Sequence, residues 1–314
     1  MTSIDTQPRD AGRYWPLAAT LVGGAAVLVG LYAIIRKVCG GALVYGLDDA
    51  YIHLAIAANL VEHGTWGVNS GEVSSTSSSL SWPLVLAALR AVTGIGQHGP
   101  LLISAVLVVV ILVRADAMLV RRTQLPPWAR AVTLGTLFFV TPVPELVFDG
   151  MEHLLHVWFA LELLDRASTG LATLDDDEGL GRRDWLILVA LSFLGVTVRY
   201  EAVFLVGAIA ALLAVRRRWG LAAAMVLAAA LPIVVYGALA SSRGWPFVPT
   251  GLLLKTAVLE ETATETLRRM FNEFAAKIPG ALPLVAAVSA GLVANALRSR
   301  PRAHAERVDL HAML

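Results

Sequence analysis

Long apolar blocks separated by polar connections dominate the chain. A charge-free block lies between Arg13 and Arg36, and further apolar blocks follow at about 100–119, 129–148, 151–165, 185–198, 200–215, 220–240 and 279–297. A helix needs about 20 mostly apolar residues to cross the ~30 Å bilayer core. The pattern therefore predicts an all-α, polytopic transmembrane bundle with about eight spans. The shorter blocks, at 151–165, 185–198 and 200–215, must extend through polar residues to reach across.

The segment Trp82–Val92 decides the predicted topology. It contains Arg90 and ends at the Gly-rich residues 94–96, so we interpret it as a helix on the membrane surface. With the N-terminus in the cytoplasm, fifteen of the 25 lysines and arginines then lie in cytoplasmic segments. This asymmetry follows the positive-inside rule. We expect a multi-pass protein of the plasma (inner) membrane.

This topology divides the chain into three parts. Residues 1–15 form a cytoplasmic tail, residues 16–297 the transmembrane domain, and residues 298–314 a basic cytoplasmic tail. The outer loop 37–99 carries two juxtamembrane helices. The outer loop 241–278 carries an amphipathic helix, because apolar residues recur at helical spacing from Leu267 to Ile278.

The composition supports the membrane class and excludes others. Apolar residues make up 57% and charged residues 16% of the 314 positions, whereas a soluble domain has about 25% charged residues. The mean hydropathy is +0.68. The net charge of +1 comes with dispersed basic residues and predicts no nucleic-acid partner. The single cysteine, Cys39, excludes an intrachain disulfide and a cysteine-based metal site.

An acidic pair opens the first outer loop. Asp48 and Asp49 precede a helical stretch that ends near Gly64. One interpretation is structural, with an aspartate as N-cap and Gly64 as the C-terminal stop. The other is catalytic, with one carboxylate as a general base and its neighbour raising its pKa or orienting a cation.

A run of hydroxyl residues follows at positions 74–81 and includes Thr76 and Ser77. It is either a flexible linker with Ser81 as the N-cap of the next helix, or a phosphate-binding segment ahead of a helix N-terminus.

Ionisable residues also lie at the start of the block 151–165. Glu152 and His156 are four residues apart and share a helix face. Charged groups at this depth are costly in lipid, which favours an orientation toward the bundle interior. Asp149 is either a helix cap or, with Glu152, His156 and a carboxylate of the first loop, part of a divalent-cation site.

Two cations stand near the same predicted face. Arg199 precedes Glu201 in a turn between two short spans, and Lys255 lies in the last outer loop. A phosphate is a natural partner for Arg199, and an internal arginine–acid pair is an equal alternative. Lys255 either binds a ligand or extends to the lipid headgroups.

Together these residues resemble the GT-C superfamily of membrane glycosyltransferases. Asp48–Ile52 is similar to the family's acidic pair, and Thr76–Trp82 to its Thr/Ser-rich stretch before a second surface helix. Asp149–His153 resembles the Ser-Gly-Met-Glu-Thr motif of the bacterial arabinosyltransferase-like branch. Arg199–Glu201 resembles its Arg-Pro-Glu/Asp motif, with tyrosine for proline. Pro249 and Lys255 keep the spacing of a Pro-Asn-Thr-x-x-x-Lys motif.

The resemblance covers residues 15–297 and implies transfer of a sugar, with inversion, from a polyprenyl-phosphate carrier to an acceptor hydroxyl of an envelope glycan or lipid. Asp49 or Asp48 would accept the acceptor proton. Arg199 and Lys255 would hold the carrier phosphate. The remaining implied substrate-binding residues are Glu152, His156, Thr76, Ser77 and Glu201. The resemblance implies no certain cofactor, and a divalent cation stays open.

Two other interpretations remain at this point. A transporter or flippase is also polytopic and has buried ionisable residues, but inverted repeats are typical of that class and the sequence shows none. A catalytically inactive GT-C-like fragment is the second alternative, since family members are usually longer. Loss of function on replacing Asp48 or Asp49 would favour the enzyme.

Overall fold

A computed structural model describes residues 11–139, 141–173 and 181–248. These residues are entirely helical apart from turns and loops. The helices are α1 (Ala11–Val38), α2 (Asp49–His63), α3 (Ser81–Thr93), α4 (Gly99–Arg122), α5 (Pro127–Phe139), α6 (Val143–Phe148), α7 (His153–Thr173), α8 (Arg182–Val198), α9 (Ala202–Val215) and α10 (Trp219–Ser241). The predicted all-α class is therefore confirmed for this part of the chain.

Three of the described helices are long and apolar enough to cross a bilayer: Tyr14–Val38 within α1, α4 and α10. The outward faces of these helices are apolar, as Val22 on α1 and Leu227 on α10 show, each with 70% of its surface exposed. These helices indicate a membrane protein. The count of about eight spans stays a prediction. Outside the described residues lie residues 1–10 of the N-terminal tail, the predicted amphipathic helix at 267–278, the block 279–297 and the tail 298–314.

The helix ends follow local capping rules. Asp48 is the N-cap of α2, and its side chain accepts a hydrogen bond from the Asp49 N–H at 3.0 Å. Gly64 ends the helix with φ at +64°, where glycine is favoured. Both expectations of the structural interpretation are confirmed. For α3 the expectation was wrong by one residue: Leu80, not Ser81, is the N-cap.

The apolar blocks and the helices differ in two places. The block 129–148 is not one helix but two, α5 and α6, because Pro142 lacks an N–H donor and disfavours a helical Thr141. The block 151–165 continues to Thr173 as a helix of 21 residues. At 1.5 Å per residue α7 is about 31 Å long, so it extends through polar residues as expected.

Helix α7 belongs to both large apolar clusters of the bundle. One cluster contains Leu163 of α7 and buried residues of α8, α9 and α10. The other contains Leu154 of α7 and buried residues of α4, α5 and α6, with α1 packed against it. A smaller cluster around Trp82 joins α2 to α3.

Loops and helix ends from distant parts of the chain meet at one end of this bundle, which we call the site end. The Trp82 indole donates to the Gly150 carbonyl at 3.1 Å, and the Leu80 N–H donates to the Thr197 carbonyl at 2.9 Å. At the opposite end, arginines of α4 pair with carboxylates of α7.

Candidate functional site

Glu152 is the centre of a buried polar cluster at the site end. It lies just before α7, and its side chain is fully buried. Its Oε1 accepts a hydrogen bond from Nη1 of Arg199 at 3.0 Å. Nη2 of Arg199 donates to Oε1 of Glu201 at 2.7 Å, and Nη1 lies 3.1 Å from Nε2 of His153. One arginine is thus shared by two carboxylates.

The turn that positions Glu152 depends on Gly150. This residue has φ at +74°, and a Cβ there would lie 2.7 Å from the Tyr45 ring and 2.8 Å from Ala50. Only glycine combines this backbone conformation with so close an approach. The turn is thereby fixed against the loop that precedes α2.

His53 joins the cluster from α2. It is 1% exposed, its Nε2 lies 3.6 Å from Oε2 of Glu152, and its Nδ1 lies 3.3 Å from Oγ of Ser77. The sequence interpretation did not include His53 among the site residues. A signal was present, because His53 is four residues after Asp49 and therefore shares its helix face.

The two aspartates of the acidic pair occupy different environments. Asp49 is half-buried, and its charge acts on Glu152. Asp48 is exposed and caps α2. The structure therefore explains Asp48 by its capping role, and Asp49 is the acid on the side of the cluster. The catalytic assignment of either residue stays a prediction.

The serine run is anchored to the bundle. Ser75, Ser77 and Ser79 are buried at alternate positions, with 5%, 2% and 0% exposure. Oγ of Ser75 lies 2.6 Å from the Tyr236 hydroxyl on α10. The flexible-linker interpretation is therefore wrong for this segment. Thr76 is half-buried and lies 3.1 Å, Oγ1 to Oγ, from Ser74 rather than in the cluster.

The environment shifts the carboxylates in opposite directions. Burial raises the pKa of Glu152, and the nearby Arg199 charge offsets this only in part. Burial also raises the pKa of Glu201, but hydrogen bonding and charge from Arg199 outweigh burial, so the net pKa is lowered. Burial raises the pKa of Asp149, with a smaller contribution from Glu145. Both acids contact Arg199, so it is the deeper burial of Glu152 that separates the directions of their pKa shifts.

Other predicted site residues lie near the cluster or outside the described part. His156, one turn into α7, is half-buried, and its Nδ1 has no hydrogen-bond partner among the described residues. Lys255 and Pro249 lie outside the described residues. The described ranges contain no group of three histidines, cysteines or acids placed to hold a metal ion.

The bundle also contains an apolar cavity of about 110 Å³. It is enclosed by α4, α5, α6 and α7, and Leu154 of its wall follows Glu152 by two residues.

Comparison of the chain with protein-family models, curated proteins and solved structures finds no match.

Proposed function

We propose that this chain is a GT-C-type membrane glycosyltransferase that moves a sugar from a polyprenyl-phosphate carrier to an acceptor hydroxyl on the outer face of the plasma membrane. The observation that supports this most is the arrangement around Glu152. Side chains from four separate segments, namely His53, Ser77, Glu152 and Arg199, meet at one end of the bundle, with Asp49 beside them.

Asp49 is the proposed general base. It accepts the proton of the acceptor hydroxyl, whose oxygen forms a bond to the anomeric carbon of the sugar. The bond from that carbon to the carrier phosphate breaks at the same centre, and the carrier leaves with the electron pair. Attack opposite the leaving group gives inversion. General-base catalysis of this kind contributes about 10²–10⁴ in rate.

Arg199 is the proposed partner of the carrier phosphate, together with Lys255. A guanidinium has five N–H donors, and three contacts of Arg199, to Glu152, His153 and Glu201, are seen in the described residues. Two donors are therefore left for a phosphate that gains negative charge as it leaves. The two carboxylates hold the guanidinium in place for that contact.

The apolar outer surface of the bundle supports a lipid carrier over a water-soluble sugar donor. Long apolar helices such as α1 and α10 face outward, so a lipid-linked donor could reach the site end from the membrane. A polyprenyl phosphate combines a hydrocarbon chain with an anionic head, which matches this pair of environments. Glu152, His156 and Glu201 are the proposed contacts to the sugar or acceptor, and Thr76 and Ser77 to the phosphate side.

The test is transfer by the purified protein in nanodiscs, with a panel of polyprenyl-phosphate sugars labelled in the sugar. Wild-type protein should move label to an acceptor, and Asp49→Asn should reduce the rate at least about 100-fold. Glu62→Gln is the matched control, because Glu62 is an exposed acid on the same helix.

Asp48→Asn identifies which aspartate is the base, since asparagine caps a helix as well as aspartate does. Absence of transfer with every carrier, combined with movement of a labelled carrier across the bilayer, would contradict the enzyme and favour a flippase. Equal rates for wild-type and Asp49→Asn protein would remove Asp49 as the base.

A further inference from the structure

Three buried polar side chains and the partly exposed Arg199 form a continuous line at the site end. Ser77 contacts His53, His53 contacts Glu152, and Glu152 accepts a hydrogen bond from Arg199. Ser77, His53 and Glu152 are 2%, 1% and 0% exposed. Buried polar groups are costly unless each donor faces an acceptor, so the positions of the protons along this line can be worked out.

The Ser77 hydroxyl donates its hydrogen bond to a backbone carbonyl. Its Oγ donates to the carbonyl of Ser79, at a short distance, and accepts from the Ser79 N–H at 3.3 Å. A hydroxyl has a single proton to donate. Toward His53 the Ser77 oxygen is therefore an acceptor, and Nδ1 of His53 must carry the hydrogen in that contact.

A neutral histidine with its hydrogen on Nδ1 has a lone pair on Nε2. That lone pair would face Oε2 of Glu152 at 3.6 Å. Oε2 receives no hydrogen bond from the described residues. Two acceptors in a buried contact repel each other, and a proton on either atom turns this repulsion into attraction.

We infer that His53 and Glu152 together bind one additional proton, as an imidazolium–carboxylate pair or as a neutral imidazole beside a carboxylic acid. His53 is then a positioning residue. It holds Oε2 of Glu152, while Oε1 holds Arg199, and so fixes the arginine for its ligand. The shared proton follows from these contacts and is tested separately from sugar transfer, whereas the positioning role of His53 rests on the proposed function.

The charges that surround the pair favour this proton. Three carboxylates and one arginine lie in or beside the cluster, so the region has an excess of negative charge without the proton. The charged groups that act on Glu152 are Arg199, Glu201 and Asp49, from the turn before α9 and from α2. His153 and His156 of α7 lie on the Arg199 side of the cluster. Burial also raises the pKa of Glu152, in agreement with a proton held there.

Two spectroscopic measurements on the intact protein in nanodiscs test the inference. Nitrogen-15 NMR of labelled histidines, with His53→Gln to assign the signal, should show both ring nitrogens of His53 protonated near neutral pH. If His53 is neutral, the proton is on Glu152, and infrared difference spectra between wild-type and Glu152→Gln protein should show a protonated carboxylic acid. Either form accounts for one proton per chain.

Glu152→Gln provides a second, independent readout. In the imidazolium form the substitution removes the partner charge, and the titration midpoint of His53 should fall by at least about one pH unit, a tenfold change in proton affinity. In the acid form the carboxylic acid signal should disappear instead. His63→Gln, an exposed histidine on the same helix, should leave the His53 signal unchanged. A neutral His53 beside an ionised Glu152 throughout about pH 6 to 8 would overturn the inference.

Discussion

Helix α7 has a charged cluster near each end, and the two clusters are built differently. At the far end Asp165 is paired with three arginines of α4: Arg122 at 2.5 Å, Arg121 at 2.8 Å and Arg114 at 3.4 Å. At the site end one arginine serves both Glu152 and Glu201. At the far end arginines outnumber the acid that they contact, whereas at the site end the acids outnumber the arginine.

This difference separates a structural role from a ligand-binding role. A carboxylate that already has three arginine partners has little capacity for a ligand. The site end keeps hydrogen-bonding atoms with no partner among the described residues, such as Oε2 of Glu152, Nδ1 of His156 and the Tyr200 hydroxyl. Unfilled buried polar atoms are rare in folded proteins and point to binding or catalysis. The following predictions test this contrast.

Glu152→Gln should have the largest effect, and it should be on activity. The amide keeps the volume of the side chain but holds Arg199 less firmly and cannot share the proton with His53. We expect sugar transfer to fall about 100-fold, with the thermal midpoint nearly unchanged. Glu62→Gln, the exposed acid on α2, should match wild-type protein. A full loss of fold in Glu152→Gln protein would place the residue among the structural ones.

Asp165→Asn should lower the stability of the protein, in contrast to Glu152→Gln, which should lower its activity. Removal of a buried acid that faces several arginines costs about 3–5 kcal/mol in a fully buried pair. Arg121 is 53% and Arg122 39% exposed, so solvent screening reduces the expected loss to about 2 kcal/mol. Thermal unfolding in detergent measures it. Asp184→Asn, which removes an exposed partner of Arg166 at 3.8 Å, should change stability by less than about 0.5 kcal/mol.

Gly150→Ala should destabilise the turn that carries Glu152. The substitution combines a positive φ with a Cβ that meets Tyr45 and Ala50. Gly40→Ala is the control, because Gly40 has φ at +63° but open space around it. We expect Gly150→Ala to cost about 1–2 kcal/mol more than the control, measured as the difference in thermal unfolding. Equal losses would show that the close approach to Tyr45 is unimportant.

The Arg199–Glu201 contact should give the smallest effect and a specific dependence on pH. The pKa of Glu201 is lowered by Arg199 in the folded protein, so its contribution is present above its ordinary value of 4.5 and is lost as the pH falls below it. Glu201 is 48% exposed, so the contribution is about 0.5 kcal/mol. The stability difference between wild-type and Glu201→Gln protein should therefore shrink and disappear as the pH falls from 4.5 through the lowered pKa of Glu201. A constant difference would exclude this ion pair as its source.

The sequence predicted those features that depend on neighbouring residues. The all-α class, the N-cap at Asp48 and the stop at Gly64 follow from local patterns, and the structure confirms them. The break between α5 and α6 was also visible in the sequence, in Pro142 and Pro144, but the apolar character of the block outweighed these prolines in the prediction.

The sequence could not predict features that depend on distant partners. Ser75 and Ser79 contact segments more than a hundred residues away, at Tyr236 and Thr197. His53 belongs to the site only because the fold brings Glu152 and Ser77 into contact with it. A serine run and an isolated histidine have no pattern that specifies such partners.

The length and attachment of α7 have a mechanical consequence. The Glu152 carbonyl accepts a hydrogen bond from the His156 N–H at 2.9 Å, so Glu152 moves with the helix axis. Asp165, thirteen residues further on, is held by α4, about 20 Å away along the helix. The contacts of Asp165 with α4 therefore help to fix the position of the Glu152 carboxylate along and around the axis of α7. A shift of α4 along α7 would move Glu152 and, through it, Arg199.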